Sequence, residues 1–382
     1  MKLLSIFTLL LPTTMGMVLK FNHIFNRFSS KMSLQTKSII DYPKLTYQNL
    51  TEQDKYDLQW YVIGTPLDFA INTPQKATIW NKNYVVWRDA DGKYNALDDA
   101  CPHKGASLAG GTVENGSVIC PYHGYEFDCT GELKKVPGIC FQPSATYNVA
   151  KYDVVEKHGW VYLNTFSDLI ENGNNLLNSN NLKEENIFVE EEICRNDSVV
   201  FLDMDFDCYS RILSENSLDV MHIGFVHTFG NKKKPGPTEI HPPRLVGTHH
   251  FKTSYAYEAG ENSLARSYFK VKDLIIENEF ILPHTTIARV IFGDYVSTVI
   301  TFALPISESK SKLFVKTYRN FWQNPMGDKI SKEMMFQTML QDRVIVENIH
   351  PHFEDGKFNM RFDKLQNTYK TFYKRFIHRR RT

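Results

Sequence analysis

Acidic residues are missing from the first 40 positions of this 382-residue chain. The apolar run at residues 3–11 is too short to span a bilayer and has the look of a signal-peptide core. The stretch at 20–33 is basic, aromatic and contains serine, which is typical of a transit peptide. We therefore expect residues 1–40 to be a targeting leader, with a plastid as the first destination and the cytoplasm as the alternative. A disordered leader ahead of a second start at Met32 is the competing interpretation.

Cysteine is also scarce, with six residues in the chain and none after position 208. So few cysteines cannot form the disulfide scaffold of a secreted protein, and a reducing compartment is the simpler interpretation. The net charge of +1 gives no reason to expect a nucleic-acid partner. No glycine-rich G-x-G-x-x-G follows a predicted strand, so we expect no nucleotide-binding domain.

Hydrophobic periodicity divides the remaining chain into two domains, and the fold class is α+β. Residues 58–165 show short β-branched and aromatic runs and predict an all-β domain, with Asp91 and Gly92 in a hairpin turn. The Asn-rich residues 166–182 predict a linker. Residues 183–378 predict an antiparallel sheet with helices.

Within the second domain, residues 215–227 have helical spacing and residues 328–349 predict one long helix that ends before Pro351. The segments that predict strands are 249–259, 266–274, 279–283, 286–292, 295–304 and 313–322. A last helical pattern has aromatic and leucine residues at spacings of three and four, namely Phe362, Leu365, Tyr369, Phe372 and Phe376. The basic end of this pattern suits either a closing helix or a peripheral membrane contact.

Two short boxes in the first domain each pair one cysteine with one histidine. They contain Cys101 and His103 in the first box and Cys120 and His123 in the second. A tetrahedral zinc ion is one interpretation, but zinc fingers keep their two cysteines together. Mixed boxes favour a [2Fe–2S] cluster in which one iron takes two thiolates and the other takes two imidazoles. The other four cysteines have no ligand spacing, and we expect them to be small core residues.

A second motif, N-x-x-D-x-x-H-x4-H, comprises Asn216, Asp219, His222 and His227. Two histidines and a carboxylate form the facial triad of non-haem Fe(II) oxygenases. On a helix, Asp219 and His222 share a face, and His227 converges with them if the helix ends or bends near Gly224. Taken alone, two helical histidines with ordinary hydrogen bonds are the plainer interpretation.

The boxes "CPHKGA" and "CPYHG" resemble Rieske domains. Tyr122 stands where respiratory Rieske proteins have a further cysteine, so the chain is similar to the soluble oxygenase and ferredoxin branch. With the second motif, residues 58–378 resemble the Rieske non-haem iron oxygenases (alpha-subunit type). The sequence "LDVMHIGFVH" looks nearest to the pheophorbide a oxygenase and lethal-leaf-spot-like group, although the chain lacks that group's C-terminal CxxC motif.

The resemblance implies roles for the motif residues. It makes His222 and His227 ligands of a mononuclear Fe(II), with Asp342 of "QDRVIVENI" as the third ligand and Glu347 as the fallback. Asn216 would lie near the iron. Asp219 would connect the iron site to a Rieske histidine of a neighbouring subunit, with His123 as the expected one.

The resemblance also implies a function and partners. The enzyme would use O2, and electrons from a ferredoxin or reductase, to hydroxylate, dealkylate or oxidatively cleave an organic substrate. A hydrophobic molecule is expected, either a pheophorbide-like tetrapyrrole or another small cyclic compound, and the assembly would be a homotrimer. The alternative is a Rieske electron-transfer protein with a non-catalytic binding domain, in which the second motif holds no metal.

Overall fold

The computed structural model describes residues 49–140, 144–166, 187–247 and 249–377. The expected leader, and all but the first residue of the expected linker, lie outside the described residues. The two domain boundaries therefore stay a prediction. The described segments contain six α-helices: α1 Glu52–Asp57, α2 Ser210–Leu218, α3 Ile223–Val226, α4 Leu264–Ser267, α5 Pro325–Val346 and α6 Lys364–Phe376.

Short antiparallel strands build the first part of the chain, as the sequence predicts. They are β1 Trp60–Gly64, β2 Gln75–Ile79, β3 Lys82–Arg88, β4 Tyr94–Asp98, β5 Thr112–Glu114, β6 Ser117–Ile119, β7 Glu126–Phe127, β8 Leu133–Lys135, β9 Lys151–Tyr152, β10 Val154–Lys157 and β11 Trp160–Asn164. They form three sheets with the orders β1-β11-β10, β2-β3-β4-β9 and β5-β6-β7-β8. The two Cys/His boxes lie in the loops before β5 and between β6 and β7.

A seven-stranded antiparallel sheet dominates the second part and confirms the α+β fold. Its strands are β12 Ser198–Phe206, β13 Thr238–Gly247, β14 His250–Glu258, β15 Asp273–Ile281, β16 Thr285–Phe292, β17 Tyr295–Pro305 and β18 Ser311–Arg319. The order is β12-β18-β17-β16-β15-β14-β13, so the first strand pairs with the last. Six of these strands follow one another as a meander, and only β12 reaches its partner across a long sequence separation.

Two strands of this sheet were not predicted. In β12 the side chains alternate, with Val200, Leu202, Met204 and Phe206 buried and the more exposed Phe201, Asp203 and Asp205 between them, which is the period of a half-buried strand. β13 contains two consecutive prolines and several register shifts, and it occupies the sheet edge, where proline removes no ladder hydrogen bond. The segment 266–274, predicted as a strand, instead contains the end of α4 and a loop that leads into β15.

Helices α5 and α6 both pack against the large sheet. α5 confirms the predicted long helix and starts three residues earlier, at Pro325, where the side chain of Asn324 accepts a hydrogen bond from the backbone N–H of Gly327. α6 buries the residues of one face: Leu365, Tyr369, Phe372, Tyr373 and Phe376. α6 therefore packs on the domain as a closing helix, which is one of the two interpretations that its sequence allowed.

A buried lysine connects the first part of the chain with the large sheet. Lys316 on β18 is fully buried, donates to the carbonyl of His158 at 2.9 Å and pairs with Glu190. Its ammonium lies 4.2 Å from the ring centroid of Trp160 on β11, a cation–π contact. These contacts connect the β10–β11 hairpin to the seven-stranded sheet. None of the helices in the described segments has the length and apolar character needed to cross a membrane.

Candidate functional site

The two Cys/His loops have the same backbone hydrogen bonds although their spacings differ. In the first loop, the N–H of Cys101 donates to the carbonyl of Ala106 at 2.8 Å, and the N–H of Gly105 donates to the carbonyl of Cys101 at 2.8 Å. In the second, the equivalent bonds run from Cys120 to Tyr125 at 2.8 Å and from Gly124 to Cys120 at 3.0 Å. Both glycines have φ near +70°, a conformation that side chains disfavour, so glycine is needed four residues after each cysteine.

These loops bring like side chains together. Cys101 and Cys120 are buried and their thiols contact each other. Burial raises the pKa of Cys101, and the adjacent Cys120 raises it further, while backbone N–H groups lower it. The rings of His103 and His123 lie 4.7 Å apart, and Tyr125 stacks on His103. The result is one thiol pair and one imidazole pair.

The separation of the two pairs distinguishes the two metals that the sequence left open. The donor atoms of one tetrahedral zinc ion lie roughly 3–4 Å apart, because Zn–S is about 2.3 Å and Zn–N about 2.1 Å. Among the described residues, no three donor atoms of the four loop side chains lie within 4.8 Å of one another. A cluster with one iron for each pair therefore fits these side chains better than a single ion.

The remaining cysteines divide by burial. Cys208 is buried, as expected, but Cys140 and Cys194 are exposed and Cys129 is half-buried. The prediction of four core cysteines is therefore wrong for the two exposed residues, because a missing ligand spacing says nothing about which loops reach the surface.

The second motif is positioned by a break in the chain and not by one continuous helix. Helix α2 ends at Leu218, and Asp219 is extended, with φ −79° and ψ 119°. The chain then turns, and His222 and His227 flank the single turn α3. The helix was expected to end or bend near Gly224, and this position is wrong, because α2 already ends at Leu218. Both imidazoles nevertheless converge.

Three side chains meet with donor atoms that all lie within 4.8 Å of one another, and they are His222, His227 and Asp342. The Nε2 atoms of the two histidines are 3.1 Å apart. Oδ1 of Asp342 lies 3.6 Å from Nε2 of His222 and 3.5 Å from Nε2 of His227. This oxygen is buried and has no hydrogen-bond partner, which is costly unless a cation occupies the space between the three groups.

Hydrogen bonds on the far side of each imidazole leave both Nε2 lone pairs free. Nδ1 of His222 donates to the carbonyl of Asp219 at 2.7 Å. Nδ1 of His227 donates to Oε1 of Gln341 at 3.1 Å. Since a neutral imidazole carries one proton, both Nε2 atoms are unprotonated acceptors. Burial lowers the pKa of His222 and favours this neutral form, which binds metals.

Gln341 is the residue of this site that the sequence reasoning missed. Its place directly before a candidate ligand on α5 was the available signal, because histidine ligands generally donate their second N–H to a neighbouring acceptor.

The two carboxylates that competed for the third position lie in different surroundings. Asp342 faces the histidines. Glu347 is at the C-terminal end of α5, where its carboxylate accepts from the backbone N–H of Asp207 at 2.9 Å and from Nε of Arg343 at 2.8 Å. The structure therefore brings Asp342 to the histidines and leaves Glu347 outside.

The two remaining motif residues lie beside the triad. Asn216 lines the adjoining cavity, and its carbonyl accepts from the N–H of Asp219 at 3.1 Å. The side chain of Asp219 accepts from the N–H of Met221 at 2.7 Å. Burial raises the pKa of Asp219, although hydrogen bonds from the backbone N–H groups of Met221 and His222 oppose this shift. Asp219 thus fixes the turn that presents His222.

A cavity of about 320 Å³ opens next to the triad. Its walls are the inner faces of β15–β18, one face of α5 and the segment around α3, and most of the lining side chains are aliphatic, aromatic or methionine. Phe229 stacks on His227 with ring centroids 4.9 Å apart. The volume and apolar lining suit a small organic molecule bound beside a metal.

Comparison with known families agrees with this geometry. Residues 59–148 match the Rieske [2Fe-2S] domain, and residues 206–379 match the vanillate O-demethylase oxygenase C-terminal domain. The chain therefore has the two domains of a Rieske oxygenase. The first domain implies a [2Fe–2S] cluster, and the predicted α+β fold and family resemblance are confirmed.

Similar curated proteins include two demethylases and a pheophorbide a oxygenase. A vanillate O-demethylase oxygenase subunit of Pseudomonas sp. (strain HR199) is 36% identical over 27% of this chain and 28% of its own length. Chloroplastic pheophorbide a oxygenase of Oryza sativa subsp. japonica is 24% identical over 71% of this chain and 50% of its own length. The oxygenase component of dicamba O-demethylase from Stenotrophomonas maltophilia is 30% identical over 44% and 46%, respectively. The chain thus spans half or less of these relatives.

Solved structures show the same fold at low identity. Dicamba monooxygenase bound to 3,6-dichlorosalicylic acid superposes with a TM-score of 0.72 at 20% identity, covering 84% of this chain and 97% of that one. A second structure of that enzyme, with non-haem iron and dicamba, has a TM-score of 0.62 at 19% identity and covers 84% and 97%. This second structure contains non-haem iron, which is consistent with the predicted Fe(II).

Proposed function

We propose that this protein is an oxygenase that uses O2, and electrons from a separate ferredoxin or reductase, to hydroxylate, dealkylate or oxidatively cleave a largely apolar organic molecule. One observation carries the proposal. Two imidazoles with free Nε2 lone pairs face a buried carboxylate oxygen without a partner, at the wall of an apolar cavity. An electron carrier needs neither this triad nor this cavity.

The side chains around the triad have distinct tasks in this proposal. Fe(II) held by His222, His227 and Asp342 would supply the activation of O2, since a facial triad leaves coordination positions open. Asp219 and Gln341 hold the two imidazoles in the neutral tautomer that binds metals. Phe229 covers one face of His227, and the apolar cavity wall excludes water from the reacting centre.

The supply of electrons and the assembly are part of the proposal. A [2Fe–2S] cluster held by the thiol pair and the imidazole pair of the two loops would receive an electron from the donor protein. In the family resemblance, Asp219 connects the iron site with His123 of a neighbouring subunit in a closed ring of three. Light scattering of the purified protein should then give three times the chain mass of 44.3 kDa. A monomer would refute the ring, because electron transfer between subunits requires a neighbour.

Electron paramagnetic resonance of anaerobically purified protein tests the oxygenase. One sample is reduced with dithionite to report the cluster, and a second receives nitric oxide to report Fe(II) with an open position. We expect both signals in the wild type, loss of the nitrosyl signal alone in His222→Ala, and retention of both in His352→Ala, an exposed histidine that serves as the control. A cluster signal without a nitrosyl signal, after reconstitution with iron, would leave the electron carrier as the function.

The substrate and location are proposed at a coarser level. An apolar cavity supports a hydrophobic cyclic molecule, and relatives named for vanillate, dicamba and pheophorbide a act on cyclic compounds. A plastid location is proposed because pheophorbide a oxygenase and chlorophyllide a oxygenase among the relatives are named chloroplastic. Cell fractionation with an antibody to this chain tests the location, and recovery in the cytosol alone would contradict it.

A further inference from the structure

A buried arginine lies at the wall of the cavity. Arg319 is the last residue of β18, is 2% exposed, and lines the cavity together with Leu313 and Thr317. Alternate residues of a strand point to the same face, so the side chain of Arg319 is directed to the cavity side of the sheet. Ser297, its partner across the β17–β18 ladder, also lines the cavity.

Most of the hydrogen-bonding capacity of Arg319 is unused. Its Nη2 donates to the carbonyl of Trp322 at 3.0 Å and pairs with Asp328. Its Nε and Nη1 are buried and have no hydrogen-bond partner, although a guanidinium carries five N–H groups. Oγ1 of Thr317, on the same face of the strand, is buried without a partner as well. Unpaired donors of this kind are costly in a folded protein, and a ligand that accepts hydrogen bonds from them removes this cost.

The charge around Arg319 supports an anion as that ligand. Among the residues that line this cavity, Arg319 is the single Lys or Arg. Its partner Asp328 has a side chain that is 42% exposed, so solvent screens part of this ion pair. A planar guanidinium with free N–H groups matches the geometry of a carboxylate.

The position of the arginine relative to the triad sets the shape of the ligand. Asp328, which contacts Arg319, and Asp342 of the triad are both on α5. Fourteen residues of α-helix correspond to about 21 Å along the axis. Arg319 and the triad therefore lie toward opposite ends of one cavity.

We propose that the substrate is an elongated, largely apolar molecule with a carboxylate at one end, and that Arg319 and Thr317 bind this carboxylate remote from the oxidised carbon. The inference rests on the proposed function only in naming the molecule as substrate. The anchor fixes which end of the molecule reaches His222, His227 and Asp342, so it determines the site of oxidation and not the chemistry.

Calorimetric titration of the purified, cluster-containing protein tests this anchor without turnover. The two probes are 4-octylbenzoate and 4-octylbenzamide, which match in shape and differ in charge. We expect the carboxylate to bind at least about tenfold more tightly, as charge-assisted hydrogen bonds are stronger than neutral ones. We expect Arg319→Gln to abolish this preference and Arg195→Gln to retain it. Arg195 lies outside the cavity and has a side chain that is 42% exposed.

Further variants protect the test against misfolding. Arg319→Gln leaves Asp328 without its partner, so the double variant Arg319→Gln/Asp328→Asn removes both charges and should also lose the preference. If neither variant shows the cluster signal of the folded protein, the two probes are titrated into Thr317→Val instead. Loss of the Thr317 hydroxyl should lower the ratio of the carboxylate affinity to the amide affinity, and an unchanged ratio would overturn the anchor.

Each outcome separates this inference from the proposed function. Equal affinity for the two probes in the wild type, including no binding of either, overturns the carboxylate anchor. A preference that survives in the folded Arg319 variants also overturns it. A carboxylate preference in a protein without a nitrosyl signal would support the anchor and refute the oxygenase. A nitrosyl signal in a protein without the carboxylate preference would support the oxygenase and refute the anchor.

Discussion

Replacement of Gln341 by leucine isolates the contribution of one hydrogen bond to iron binding. Oε1 of Gln341 accepts the proton of Nδ1 on His227, and this bond leaves Nε2 free to face Asp342. Leucine has a similar volume but no acceptor. His227 is 4% exposed, so water cannot easily take the place of the lost amide.

The expected magnitude follows from this geometry. Loss of an acceptor behind a histidine ligand typically lowers metal affinity 10–100-fold. That range corresponds to about 1.4–2.8 kcal/mol, which is the same size as the cost of leaving a buried donor unpaired, about 1–3 kcal/mol. We therefore expect Gln341→Leu to bind Fe(II) about 10–100 times more weakly.

Competition with a chelator under anaerobic conditions measures this affinity, and the visible spectrum of the cluster reports that the protein remains folded. Gln337→Leu is the matched control, because Gln337 is an exposed residue one turn earlier on α5 and should leave the affinity unchanged. Gln341→Glu keeps an acceptor and should bind iron at least as well as the wild type. An unchanged affinity in Gln341→Leu would refute the assignment of the His227 tautomer.

Three further predictions concern the third ligand, a buried carboxylate and the closing helix. Asp342→Asn should abolish the nitrosyl signal and Glu347→Gln should retain it, and the opposite pattern would make Glu347 the ligand. Burial raises the pKa of Glu279, but its histidine, arginine and lysine neighbours outweigh burial and lower it to about 2 from an ordinary value of 4.5. Because the pKa is lowered on folding, Glu279→Gln should be less stable than the wild type at pH 7, by on the order of 3 kcal/mol. This difference should narrow as the pH falls below about 4.5 toward 2 in urea unfolding, and a difference that is constant with pH would contradict the reasoning. Phe376→Ala should lower the unfolding free energy by about 3–5 kcal/mol, since its side chain is fully buried, whereas Lys374→Ala on the exposed face should change it by less than about 1 kcal/mol. Equal effects in circular-dichroism melts would show that α6 does not pack as described.

The chemistry of the site is largely a local property of the sequence. Ligand types at short spacing predicted the two Cys/His loops and the histidine pair, because a loop or a single turn cannot place residues two to five positions apart far from one another. The strands of the first domain and the long helix α5 were predictable for the same reason, since their hydrophobic periods are set by neighbouring residues.

The tertiary structure decided what depends on distant segments. Asp342 joins the histidines, and Glu347 does not, because α5 packs with one face toward the sheet. The roles of Gln341 and Arg319 require partners from elsewhere in the chain, and sequence spacing carries no information about such pairs. In the segment 266–274, only the last two residues pair with a neighbouring strand, at the start of β15, and residues 268–272 form a loop, because a strand is stable only with a partner. Residue type thus determined which groups could bind a metal, and packing between remote elements decided which of them meet.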